Sequence, residues 1–397
     1  MSELTAVIDT MRAELIDFCA RLLQTPSVNG VHDEIAIASV IAAEAQKLGL
    51  RAQIAGENPR RPNVIVSAGQ GDPALLLIGH LDTVPEGDES RWSHPPFGAE
   101  IANGRLYGRG AVDTKGGMAA AVYALAALQR AHPDVSAAFI GVPDEESGAT
   151  GTLGIKWLHD HGMLRGKGAI YAYSGSEIIV GHRGLFRCNV LCKGESAHPG
   201  FAAWQNRERG ANAVTVMARL LIDLEDMTFE FSTAPHFDPY RTMVITPGTT
   251  ISGGSAINMV PDACEATIDV RITPEHTPAH AQAVIDMAAR QLEAENARIH
   301  FEITPLNALP AAVSDPNASI FSALERATVQ VRGITPVRTA AGPANEGYLL
   351  IERGIPTVCG FGVIGEGAHS IDEYVEIDSL PETARIFALT ALDMMQA

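Results

Sequence analysis

The sequence predicts an α/β fold with a mostly parallel sheet, interrupted by a smaller inserted α+β domain. Three observations carry this expectation. Short apolar runs alternate with helical stretches as far as about residue 180. The middle of the chain then switches to alternation of period two, and the first pattern returns after residue 310. The expected division is 1–183 for the first part of the larger domain, 184–306 for the insertion and 307–397 for the second part.

Residues 5–24 place Val7, Met11, Leu15, Phe18 and Leu22 at spacings of three and four, the mark of an amphipathic helix that Thr25-Pro26-Ser27 ends. A second helix is expected over Val31–Leu48. Val64–Val66 and Ala74–Gly79 are short apolar runs bounded by Gly and Pro, so they read as buried strands. A glycine-rich loop leads into a helix at 117–130, and Ala137–Val142 is a further buried strand that ends at Pro143-Asp144-Glu145-Glu146. In the insertion, 186–192 and 264–272 alternate apolar with polar, with helices near 208–224 and 278–294. That is an antiparallel sheet with one covered face and two helices. Helices at 317–331 and 345–353, a strand Thr357–Phe361 and a last helix at 379–395 complete the larger domain.

Bulk composition excludes several function classes. The 397 residues suffice for two cores, with 46% hydrophobic and 19% charged residues. Lys plus Arg number 29 against 47 Asp plus Glu, a net charge of −18, which speaks against nucleic acid and against anionic lipid as partners. Five cysteines (Cys19, Cys188, Cys192, Cys264 and Cys359) without a Cys-x-x-Cys pair do not form a disulfide framework, and they fit a reducing compartment. The first residues lack a basic stretch followed by an apolar one, and no apolar run is long enough to span a membrane. The expected location is the cytoplasm, with no membrane partner.

Four clusters carry chemistry. His80-Leu81-Asp82-Thr83 follows a buried strand, so imidazole and carboxylate can cooperate, the latter fixing the far ring nitrogen of a metal-bound histidine. Gly108 to Gly117 encloses Asp113 in a glycine-rich loop without the Gly-Lys-Ser/Thr ending of a phosphate loop; Asp113 could equally cap the next helix. Asp144-Glu145-Glu146 puts three carboxylates at one strand end, which a cation would relieve, one ligating while another acts as base. Ala368-His369-Ser370 follows the last strand and its glycine-rich turn. All four fall at strand ends of one domain, where ligands gather in open α/β sheets, and they offer N and O donors that suit Zn, Mn or Co.

These segments, with Gly181-His182-Arg183-Gly184, Gly194-Glu-Ser-Ala-His198-Pro199, Asn258-Met-Val-Pro261 and Asp269-Val-Arg271, resemble the M20 metallopeptidase family over nearly the whole chain. Acetylornithine deacetylase and succinyl-diaminopimelate desuccinylase are members of that group. The resemblance implies a catalytic domain with two close metals and an inserted lid that mediates dimerisation, hence a homodimer or higher homo-oligomer. It implies metal ligands at His80, Asp113 (bridging), Glu146 and His369, with Asp82 behind His80. Glu145 takes the place of the general base toward a metal-activated water, and His198 that of an oxyanion donor reaching across the dimer. Asn258 and Arg271 correspond to lid residues for a substrate carboxylate, a pairing natural for guanidinium. The alternative for Arg271 is an ion pair with Asp269. His182, Arg183, Tyr173 and Asn345 complete the candidate substrate contacts.

Two departures matter. Where most two-metal members carry an acid before Gly181-His182, this chain reads Ala169-Ile-Tyr-Ala-Tyr173-Ser-Gly-Ser-Glu177, and the place falls on Tyr173 or Ala172 depending on the end counted from. Glu177 is the nearest acid, at poor spacing. One anionic ligand is therefore missing, and the expectation is one ion per chain rather than two. Gly342-Pro-Ala-Asn345-Glu346-Gly347 also differs from relatives, either facing the substrate or capping the helix after it.

The expected function is hydrolysis of a C–N bond in a small carboxylate-bearing substrate, an N-acyl amino acid or dipeptide-like amide. One alternative is an aryl-amine aminohydrolase like 5-nitroanthranilate aminohydrolase, which releases ammonia. Another is a non-catalytic binding protein on the same scaffold.

Overall fold

The computed structural model describes residues 3–396 and divides into two compact units. One runs to His182 and resumes over Val313–Ala341 and from Asn345; the other is Arg183–Ala312 with Gly342–Ala344. The division after the insertion falls at 312 rather than 306, because the strand His300–Leu309 pairs along its length with Gly184–Lys193.

In the first unit a six-stranded sheet has the order Arg51–Ala55, Asn63–Ala68, Ala137–Val142, Leu75–His80, Ala169–Ser174, Thr357–Val363. The last four strands are mutually parallel, whereas Asn63–Ala68 runs antiparallel to both its neighbours. Three of the parallel strands, Leu75–His80, Ala137–Val142 and Thr357–Val363, are buried at every residue, which is why they read as continuous apolar runs. All four parallel strands end on one edge, at His80, Val142, Ser174 and Val363. That edge is where the candidate residues collect.

The helix Gly116–Ala131 lies against this sheet and is buried from Gly116 to Leu128. Its alanines let it approach closely; a Cβ on Gly117 would stand 1.8 Å from the carbonyl oxygen of Ala172. Ser379–Gln396 packs on it and on Ser319–Arg332 in the same core. The single N-terminal helix expected over 5–24 is two, Glu3–Thr10 and Arg12–Leu23, meeting at Met11. Arg12–Leu23 buries the expected Leu15, Phe18 and Leu22, and Met11 is buried beside them, whereas Glu3–Thr10 buries Leu4 and Ile8 and leaves the expected Val7 only partly covered. A small antiparallel sheet of Ile101–Ala102, Arg105–Tyr107, Tyr374–Glu376 and Gly365–Glu366 brings the loop of His369 beside the glycine-rich loop of Asp113.

The second unit is a four-stranded antiparallel sheet ordered Val244–Gly253, Ala263–Ile272, Gly184–Lys193, His300–Leu309. Helices Ala213–Glu225 and Pro278–Glu295 cover one face, onto which Cys264, Ala266, Ile268, Val270 and Ile272 point. Period two therefore turns Glu265, Thr267, Asp269 and Arg271 to the other face. All five cysteines are buried and unpaired. Among the described residues no helix is long and apolar enough to cross a membrane.

Candidate metal centre

Side chains from four loops converge at the carboxyl edge of the parallel strands. His80 is the last residue of its strand and fully buried. Its Nε2 lies 2.8 Å from Asp113 Oδ1. Its Nδ1 lies 2.8 Å from the main-chain oxygen of Asp82. Here the structure corrects the expected role of Asp82. The carbonyl, not the carboxylate, orients the ring, and the nearest carboxylate oxygen is 3.7 Å away. The Asp82 carboxylate instead accepts from the backbone N–H of Glu145 (3.1 Å) and Glu146 (3.0 Å) and from Asn29 (2.6 Å). It fastens the acidic turn to the histidine strand.

Asp113 does not cap the helix after it, which begins at Gly116. Its backbone is non-helical, at φ −127° and ψ 80°, and its carboxylate faces the two histidines. His369 Nε2 lies 3.2 Å from Asp113 Oδ2 and 3.0 Å from Glu146 Oε1. Asp113 thus has one imidazole on each oxygen. The Asp113 loop is held by Glu373, a buried residue whose carboxylate accepts from the N–H groups of Gly110 (2.8 Å), Val112 (2.9 Å) and Asp113 (3.2 Å) and from Arg109 (2.7 Å). Since Glu373 sits only four positions after His369, one hairpin supplies both a candidate ligand and the clamp on another.

The acidic turn sends its side chains three ways. Asp144 reaches Arg61, Asn29 and Ser147; Glu145 meets the phenol of Tyr173 at 3.3 Å; Glu146 meets His369. Tyr173 stacks on Tyr171 at 5.1 Å and stands 5.7 Å from the His80 ring. Of the two residues counted for the missing acid, Tyr173 is the one directed at the site; Ala172 is buried against Gly117. Glu177 is exposed and belongs to neither donor group. Tyr171 donates to Glu346 (2.9 Å), a wholly buried carboxyl on the last departing segment. Asn345 beside it is spent internally, donating to the Cys359 carbonyl and accepting from the Gly347 N–H, so its amide serves the turn rather than a ligand.

The charges of the site are set by burial and by its own ion pairs. Burial opposes protonation of His80, but its hydrogen bond to Asp113 and the nearby carboxylates outweigh it and hold its pKa well above the ordinary value. Hydrogen bonds to Asp113 and Glu146 push His369 up to about 10. Burial opposes ionisation of Asp113, yet the two imidazoles keep it well below the usual carboxylate range. Burial, aided by Glu146, Glu346 and Asp113, pushes Glu145 well up, although His80 opposes this. Protonated imidazoles here supply positive charge that a divalent cation would supply better, because neutral imidazole is itself a ligand. The donor atoms fit. Those of Asp113, Glu146 and His369 lie within 4.8 Å of one another, as do those of His80, Glu145 and Glu146. Nitrogen and carboxylate donors without cysteine suit Zn, Mn or Co.

The remaining candidates lie in the second unit, except His182, which is buried at the end of the strand Ile178–His182. His198 is exposed in a loop, stacked on Phe201, and Asn258 is exposed. Arg271 makes the alternative ion pair with Asp269 at 2.6 Å, and Arg187 shares that carboxylate. Arg183 lies over the Tyr240 ring, and its pKa is lowered by burial and by neighbouring Arg271. Sequence reasoning assigned no role to Glu373, Glu346, Tyr171, Asn29 or Arg61. Glu373 stands four positions after His369 and Glu346 lies inside the departing segment Gly342–Gly347, while nothing in the sequence distinguished Asn29 or Arg61.

Comparison with known proteins gives the same direction. The model of peptidase family M20/M25/M40 matches residues 76–393. A succinyl-diaminopimelate desuccinylase of Methylobacterium radiotolerans is 31% identical over 340 residues, covering 83% of each chain. Among solved structures, aminopeptidase PepT from Bacillus cereus superposes with a TM-score of 0.77 at 20% identity, covering 97% of this chain and 99% of that one. A Bacillus subtilis protein described as a dinuclear metal-binding peptidase of the M20 family superposes at 0.70 and 17% identity, covering 97% and 98%. At these identities the two structures speak for the fold.

Proposed function

Since the chain belongs to peptidase family M20/M25/M40 and is a metal-dependent hydrolase of C–N amide bonds, we propose that it cleaves a small N-acyl amino acid or dipeptide-like amide bearing a free carboxylate. The observation that carries this reading is the convergence of His80, Asp113, Glu146 and His369 around the buried carboxyl of Glu145. A divalent cation held there supplies Lewis-acid polarisation of a carbonyl and makes water more acidic.

The chain's own groups supply the rest. Glu145 removes the proton from the attacking water and returns it to the leaving nitrogen. Its carboxyl lies within 4.8 Å of donor atoms of His80 and Glu146, which puts a carboxylate at the site itself. Tyr173 holds one oxygen of Glu145 and thereby its rotamer. His198 is assigned to the oxyanion, reaching across a dimer, and Asn258, Arg271 and Arg183 to the substrate carboxylate. The mutual proximity of Arg183 and Arg271 supports that assignment, since an anion between two guanidiniums relieves their repulsion. The first unit is assigned the catalytic role and the second the lid and dimerisation role. We assign the tight ion, Zn, Mn or Co, to Asp113, Glu146 and His369. The phenol of Tyr173 stands beside His80 where a further carboxylate would complete a second site.

The desuccinylase relative favours acyl-amide cleavage over the aryl-amine alternative. The intact base and donor set weigh against a non-catalytic binder. A panel of N-succinyl, N-acetyl and dipeptide substrates, assayed with added Zn, Mn or Co beside ammonia release from aminobenzoates, tests the proposal. Cleavage confined to the amides is expected; ammonia release alone would overturn it.

A further inference from the structure

The three carboxylates of Asp144, Glu145 and Glu146 must diverge within one turn, and Asp144 reaches this with φ +70°, a region that residues with a Cβ seldom enter. Such a backbone persists only where its surroundings over-determine it. On one side the Asp82 carboxylate takes the N–H groups of Glu145 and Glu146. On the other side stands Arg61. Its Nη1 lies 3.0 Å from Asp144 Oδ1, and Asn29 donates to the same oxygen at 3.2 Å. The opposite edge of the guanidinium is gripped by Glu34, with Nε at 3.1 and 2.9 Å from its two oxygens and Nη2 on Oε1. Glu34 is wholly buried and cannot follow a moving partner into solvent.

We propose that Arg61, anchored on Glu34, is a positioning residue of the metal centre, holding Asp144 and through it the aim of Glu145 and Glu146. This rests on the metal-centre reading above. A purely structural ion pair would need only Glu34; the planar fork makes the second contact, to Asp144, possible. Net charge is not what the pair contributes, because Glu34 neutralises Arg61. What it contributes is geometry. Partners one step behind a ligand commonly alter metal affinity by about 10–100-fold when removed.

The test is Zn2+ affinity, measured on metal-free protein by competition with a chromophoric chelator, for wild type, Arg61→Lys, Asp144→Ala and the double variant. Arg61→Lys keeps the charge and loses the two-ended fork. Asp144→Ala cuts the other end and leaves Arg61 on Glu34. Each single change is expected to weaken Zn2+ binding about 10-fold or more, and the double about as much as Asp144→Ala alone, since Arg61 acts through Asp144, whose contacts to Asn29 and Ser147 only that variant removes. Affinity within about twofold of wild type for either folded single variant, or effects that multiply in the double, would overturn the proposal. Melting of the metal-free proteins shows which variants fold; should Arg61→Lys fail to fold, Asp144→Ala decides by the same criterion. Wild type that binds no Zn2+ would instead overturn the metal-centre reading itself.

Discussion

Replacing Glu346 with Gln should change how stability depends on pH. This carboxyl is wholly buried, and only one of its oxygens has a partner, the Tyr171 hydroxyl at 2.9 Å. Burial, reinforced by Asp82 and Asp144, pushes its pKa up to about 7 from an ordinary 4.5. Below pH 4.5 the group is protonated in both folded and unfolded chains and has no linked effect. Between 4.5 and 7 the folded chain keeps a proton that the unfolded chain has released, so stability falls as pH rises through that window. At 1.36 kcal/mol per pH unit the loss approaches about 3 kcal/mol by pH 8. Gln keeps an acceptor for Tyr171 and cannot ionise. Its amide meets the unpartnered side of the pocket at a cost that does not vary with pH. Urea unfolding of the metal-free protein and of Glu346→Gln, from pH 4.5 to 8, isolates the contribution of Glu346 together with its coupling to Glu145, His80, Asp82 and Asp144, because titrating groups remote from it cancel. The stability of the variant relative to wild type should rise by about 3 kcal/mol across that range. A difference that stays flat, or falls, refutes the argument that this carboxyl is held neutral.

Further changes test other links. Gly117→Ala places a Cβ 1.8 Å from the Ala172 carbonyl oxygen, a clash with backbone that cannot rotate away. It should destabilise by about 3 kcal/mol or more, seen as a melting temperature lowered by several degrees. Glu145→Gln should lower kcat about 10²–10⁴-fold while leaving Zn2+ affinity near wild type; a lost metal would make Glu145 a ligand rather than the base. Tyr173→Asp should return a carboxylate to the face beside His80, and elemental analysis after gel filtration should then find a second retained ion.

Much of this fold was legible because its chemistry is local. The strands Leu75–His80 and Ala137–Val142 are continuous apolar runs bounded by turn residues, and the helix Gly116–Ala131 is an alanine-rich stretch after a glycine loop. The alternation at Ala263–Ile272 predicted which side chains face the helices. Less legible were elements whose identity depends on distant partners. Val244–Gly253 is mostly exposed, lies at the sheet edge and contains Pro247 and Gly248, which weaken any strand signal. At the site, residue types and spacing pointed to His80, Asp113, Glu146 and His369, whose side chains lie together. The supports did not show, because Asn29, Arg61 and Glu373 act across sequence separations that no local pattern records. The sequence also suggested the wrong partner for His80, since nothing in His80-Leu-Asp82 distinguishes a carbonyl from a carboxylate acceptor.

The most direct test of the central claim is titration of the metal-free enzyme with Zn, Mn or Co, following bound ion and hydrolysis of an N-acyl amino acid in the same samples. One tightly held equivalent per chain is expected, with activity reaching its plateau as that equivalent fills and disappearing in Glu146→Gln and His369→Ala. Two equivalents held with equal tightness, with activity appearing only as the second binds, would contradict it.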